Sequence, residues 1–141
     1  MKNYSTEIFE HLILLIRTDS DNERVWLKEN NCEELAHLLD AIDNVENSFQ
    51  WLLKNNYPEL AAVVDGLAEN SKAKLFLLRN GHPELAAFVE ACFGSKTAVA
   101  FLIKNNYKGW VMVAKEIFDR DQLKEKKSFW GLFSLGNPFG R

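Results

Sequence analysis

The sequence predicts an all-α fold: an α-solenoid of about four 25-residue helix-pair repeats with an N-terminal capping helix and an aromatic C-terminal tail. Three observations carry this. Aligning Trp26, Trp51, Phe76 and Phe101 brings the blocks WLKENNCEELAHLLD, WLLKNNYPELAAVVD, FLLRNGHPELAAFVE and FLIKNNYKGWVMVAK into register without a gap. Self-similarity at a fixed short period marks repeats that bury their apolar faces against neighbours. Gly and Pro fall only at fixed places in these blocks, so each block breaks into two short helices joined by tight turns.

The elements follow in order. Residues 6–17 match the second half of a repeat and read as an orphan capping helix, with His11 and Arg17 facing outward. In each full unit a first helix, such as 47–55, carries Trp51 and Leu52 or their equivalents on its apolar face. Trp51 and Phe76 are expected to be buried between successive units. Lys54, Arg79 and Lys104 sit in the last turn, where a cation offsets the negative helix end. Asn31, Asn56, Gly81 and Asn106 come next. Only Gly and Asn enter the left-handed region cheaply, so this column ends the helix.

Pro58 and Pro83 then open the second helix, since the first helical N–H has no intrahelical partner to lose. Glu34, Glu59 and Glu84 follow, where the helix N-terminus favours an anion. Leu35, Leu60, Leu85 and Trp110 begin a buried stripe that Ile42, Leu67, Cys92 and Ile117 continue seven residues on. Ala36, Ala61 and Ala86 are small enough for close helix approach. The fourth unit departs from the pattern, with Lys108 and Gly109 where Pro and Glu stand elsewhere. The Pro-Glu-Leu-Ala starts at Pro58-Glu59-Leu60-Ala61 and Pro83-Glu84-Leu85-Ala86 resemble those of leucine-rich-variant and HEAT-like helical repeats over about residues 22–119. That resemblance implies an architecture and carries no catalytic residue across. The chain divides on this reading into a repeat domain, 1–119, and a polar helical extension with an aromatic, Gly-containing tail, 120–141.

The formal net charge of −3 hides an asymmetry. Residues 1–70 carry 14 acidic and 5 basic side chains, and residues 71–141 carry 6 and 12. Such a layout suits steering of a polar partner or head-to-tail self-association. It argues against nucleic acid, whose phosphates the acidic half would repel. The two cysteines, Cys32 and Cys92, form no disulfide framework and fit reduced thiols in the cytoplasm. No stretch approaches the ~18 apolar residues of a membrane span.

Candidate sites are few. Asn30, Asn55, Asn80 and Asn105 recur without change beside each turn, where a side-chain amide can satisfy turn backbone groups. Cys32, Tyr57, His82 and Tyr107 precede the second helix, and stacking would align them in a column. Tyr57, His82 and Tyr107 are the candidate partner-binding residues of the repeats, since rings with a polar tip are enriched at interfaces; local packing at the turn is the alternative. Asp40, Asp65 and Glu90 read as a solvated face. His11 and His37 could approach one another but lack a third ligand, so no metal site is assigned. No phosphate loop, nucleophile elbow or catalytic grouping is present, and no cofactor is expected.

Phe129, Trp130 and Phe133, with Leu132, are the other partner-binding candidates. The Gly and Pro residues of 128–141 argue against a regular helix there. The tail is expected to fold back on Trp110, Val113 and Ile117 as a cap, or else to dock on a protein or, less favoured, at a membrane interface. The function expected is a non-catalytic adaptor or scaffold that binds another protein. The alternative is a structural or self-assembling protein, or one associated with a membrane interface through its tail.

Overall fold

The computed structural model describes the backbone of residues 2–136 and side chains as far as residue 124. Within these residues the protein is all-helical. The helices are α1 (Thr6–Thr18), α2 (Asp21–Glu29), α3 (Glu33–Ile42), α4 (Ser48–Lys54), α5 (Pro58–Leu67), α6 (Ser71–Arg79), α7 (Pro83–Cys92), α8 (Lys96–Lys104) and α9 (Lys108–Gly136).

Local chemistry sets the boundaries. Ser5, Ser20, Asn70 and Ser95 cap α1, α2, α6 and α8 through their side-chain oxygens, satisfying N–H groups that have no intrahelical acceptor. Asn31, Asn56, Gly81 and Asn106 all have positive φ, between 61° and 78°, as the Asn/Gly column predicts. Each unvarying asparagine donates from Nδ2 to the carbonyl four residues back, at 2.8 Å in all four units. The amide thus serves its own turn and does not bridge units. A Cβ on Gly81 would meet nothing within 4 Å, so only the φ of +78° resists a side chain there. Gly81→Val is therefore expected to lose about 1–2 kcal/mol from left-handed strain alone, read as a shift in the urea midpoint. Asn56→Gly, at a matching position, should leave that midpoint nearly unchanged.

The odd-numbered helices form the interior. α3 packs on α5, α5 on α7, α7 on α9, α9 on α1 and α1 on α3. Five inner helices thus close on themselves. The even helices lie outside, each in the groove between two consecutive inner ones: α2 on α1 and α3, α4 on α3 and α5, α6 on α5 and α7, α8 on α7 and α9. One core runs through the ring, with Leu12, Leu38, Val63, Phe88 and Val113 fully buried. The stripe at Leu35, Leu60, Leu85 and Trp110 is buried throughout.

Three expectations need correction. The Trp26, Trp51, Phe76 and Phe101 column is not the buried one; its neighbours Leu27, Leu52, Leu77 and Leu102 are fully buried instead. The aromatic rings lie at the edge of the outer helices. Trp51 is half-buried because His37 stacks on it at 4.0 Å. Phe76 and Phe101, 39% and 38% exposed, have Ala62 and Ala87 where His37 stands one and two units earlier, so among the described residues no ring stacks on them as His37 stacks on Trp51. His11 does not simply face outward, whereas Arg17 is exposed as expected. His11 stacks on Trp26 at 3.6 Å and bonds Glu23 through Nδ1, which leaves it and His37 on separate tryptophans. Arg17 bonds Glu116 across the α1–α9 seam.

The third correction concerns the tail. α9 is one helix from Lys108 to Gly136, so residues 128–136 are helical. A single interior glycine, Gly131, costs roughly 1 kcal/mol relative to alanine, too little to end a helix, and the first proline after it is Pro138. At about 1.5 Å per residue, position 129 lies some 24 Å along the axis from Val113. The backbone of residues 128–136 therefore does not fold back on Trp110, Val113 and Ile117. α1 and α7 bury that surface.

A rim cavity as the candidate functional site

The inner helices run parallel, since each is followed by one antiparallel outer helix. Their N-terminal ends share one face of the ring. On that face a cavity of about 770 Å³ opens between the starts of α1, α7 and α9, within the range of small-ligand sites. His82 and Tyr107, from the turn column, line it together with Gly81, Glu84, Tyr4, Phe9 and Trp110. Tyr57 does not line it. Its ring lies against Trp51 at 6.1 Å, with the Lys2 ammonium 5.7 Å from its centre. Phe129, Trp130 and Phe133 lie beyond the described side chains; α9 places their backbone away from this rim.

The floor of the cavity is an aromatic junction. Trp110 packs edge-on against Phe9 at 5.2 Å and Tyr4 at 6.0 Å, and tilted on Phe88 at 4.8 Å. Gly109 makes this possible: a Cβ there would fall 2.2 Å from the Phe9 ring. The departure of the fourth unit from Pro-Glu is thus the condition for α1 to close on α9.

Two glutamates point inward at this rim. Glu34 is 2% exposed and Glu84 is 7% exposed, both from the column read as favouring the helix N-terminus. Glu34 accepts a hydrogen bond from the Tyr4 hydroxyl at 2.8 Å and pairs with Lys2 Nζ at 3.0 Å. Burial pushes the Tyr4 phenol well above its ordinary range, and the Glu34 carboxylate pushes it further. Burial alone would lower the Lys2 ammonium, but its hydrogen bonds and charge contact with Glu34 outweigh that and raise it. Among the described residues the ion-pair partner within 4 Å of Glu84 is His82 Nδ1, at 3.6 Å. Sequence reasoning missed these carboxylates as site residues because an acidic first turn is already explained by the helix end. The signal was available in Lys2 and Tyr4, the polar residues just before α1.

Elsewhere several charges are paired. Asp40 bonds Arg24 at 2.6 Å, and Glu90 bonds Lys74, so two members of the presumed solvated series are tied to the preceding outer helix. Residues 49 and 99, at the positions of Arg24 and Lys74, are Phe and Val. In this one ion pair, units one and three match, whereas units two and four carry an apolar residue in place of the cation. At the opposite face Arg120 bonds Asp43 at 3.1 Å, so part of the charge asymmetry is neutralised within the chain. Burial raises both cysteine thiols, Cys92 strongly, which leaves them poor nucleophiles. No described helix is long and apolar enough to cross a membrane. Comparison with protein-family models, curated proteins and solved structures finds no match to this chain.

Proposed function

We propose that this chain is a non-catalytic, cytoplasmic protein-binding module, built as four 25-residue helix-pair repeats that an N-terminal helix closes into a ring. The observation that carries the reading is the rim cavity, where His82 and Tyr107 from the turn column meet Glu84, Tyr4 and Trp110. A concave site with an aromatic floor and a few fixed polar groups is what a partner's side chain requires. The non-catalytic part rests on the chemistry of the nucleophiles: both thiols are held protonated by burial. The structural or self-assembling alternative is favoured by α9, whose helix continues well past Ile117, the last buried residue among those whose side chains are described. Against head-to-tail association, the first and last inner helices already cover one another.

Affinity capture with the full chain, a Tyr107→Glu variant and a chain lacking residues 128–141 tests the proposal. The adaptor reading expects the same captured protein with wild type and with the truncation, and its loss with Tyr107→Glu. Loss on truncation alone transfers the activity to the α9 extension. Concentration-dependent, salt-sensitive oligomers of the wild type alone would replace it by self-assembly.

A further inference from the structure

We propose that the rim cavity receives a primary ammonium group, the side chain of a lysine on the bound partner, held between the Glu84 carboxylate, the Gly81 carbonyl and the Tyr107 ring. This rests on the protein-binding reading and specifies what the site recognises. The chain already contains the occupied form of the same arrangement. Lys2 Nζ donates to the carbonyl of Asn31 at 2.5 Å and pairs with Glu34 at 3.0 Å, with the Tyr57 ring centre at 5.7 Å. Two units on, 50 residues along the repeat, Asn31 becomes Gly81, Glu34 becomes Glu84 and Tyr57 becomes Tyr107. All three equivalents line the cavity. The cation alone has no equivalent.

Chemistry agrees with symmetry. A nearly buried carboxylate without a counter-charge is costly, and a charged hydrogen-bond donor relieves that cost. Among the described residues no hydrogen bond reaches the Glu84 carboxylate. Its neighbour His82 stands at 3.6 Å, beyond hydrogen-bond length, and is cationic only when protonated. An aromatic face adds attraction for an ammonium, and the Tyr4 and Trp110 rings offer apolar surface to a lysine stem. The intervening unit does not build the site. There the next turn carries His82 in place of tyrosine, and Glu59 is less buried than Glu34 and Glu84 and does not line the cavity. Two cations also line the cavity: Lys2, which is committed to Glu34 and the Asn31 carbonyl, and Lys108, which among the described residues of α9 is the one that could compete for Glu84.

The test is an NMR titration of the full chain with Nα-acetyl-lysine amide, against the neutral Nα-acetyl-norleucine amide. Saturable shifts of the Trp110 indole and the Gly81 amide are expected with the lysine derivative. Norleucine should bind at least roughly tenfold more weakly, and Glu84→Gln should lose a similar factor. Should Glu84→Gln not fold, Tyr107→Leu, which alters an exposed ring, is expected to weaken binding in the same direction. Lys108→Gln should strengthen binding by removing the competitor. Lys2→Gln should open a second site, seen as new shifts at Asn31 and Tyr57. Absence of saturable shifts in the wild type, equal binding of norleucine, or unchanged binding in both Glu84→Gln and Tyr107→Leu overturns the proposal. Partner capture that still depends on the rim would then leave the protein-binding reading standing without the ammonium.

Discussion

Trp110→Ala is expected to lower stability by about 3–5 kcal/mol, the range for removing a large buried aromatic. Trp110 is 3% exposed, and its ring is the meeting point of three elements. Tyr4 and Phe9 bring α1 and the segment before it, and Phe88 brings α7. Removing the indole therefore does more than hollow one helix: it loosens the aromatic packing at the N-terminal end of the seam that joins the first inner helix to the last. An ordinary domain has about 5–15 kcal/mol in total, so partial opening of the ring at 37 °C is expected. Urea unfolding followed by circular dichroism measures the loss. Trp51→Ala is the matched control, because Trp51 is half-buried against His37 and Tyr57 at the outer edge. Equal losses in the two variants would contradict a seam centred on Trp110.

Local chemistry made the repeats legible in the sequence. The Asn/Gly column, the prolines at helix starts and the leucine stripe each answer to a backbone requirement that short-range physics sets, and each holds in the structure. Closure of the ring was not legible in the same way. It depends on the angle accumulated over successive units, which no single residue encodes. Gly109 is nonetheless visible as an exception to Glu34, Glu59 and Glu84, and in the structure that exception marks the joint between α9 and α1. The aromatic column failed for a different reason. Trp26 and Trp51 recur as Phe76 and Phe101 beside the invariant Leu27, Leu52, Leu77 and Leu102, but periodicity identifies a face without saying which of two adjacent positions lies nearer the ring centre. Of the candidate site residues, His82 and Tyr107 share the cavity, whereas Tyr57 belongs to the equivalent place that Lys2 fills. The distinction turns on a lysine 55 residues away in sequence, which a reading unit by unit does not reach.

Gly109→Ala is expected to destabilise the chain although alanine is the better helix former by about 1 kcal/mol. The added Cβ would fall 2.2 Å from Phe9 Cδ2 and 2.3 Å from Cε2. Phe9 cannot yield, because Tyr4 and Trp110 hold its ring from two sides and it is itself buried. Overpacking of this kind costs about 1–3 kcal/mol and occasionally more, so α1 must lift from α9 and the clash outweighs the propensity gain. A double-mutant cycle isolates the cause. Phe9→Ala alone should also destabilise, by about 3–5 kcal/mol. In that background Gly109→Ala no longer meets a ring and should become neutral or stabilising, up to about 1 kcal/mol. The change of sign is the diagnostic, since residues in contact are non-additive while distant ones add. If Gly109→Ala were stabilising in the wild type, the close approach of α1 to α9 would not exist, and the ring would be an open array whose first helix lies elsewhere. If it were equally destabilising in both backgrounds, the cost would belong to α9 alone, and the exchange of Glu for Gly in the last unit would have nothing to do with closure.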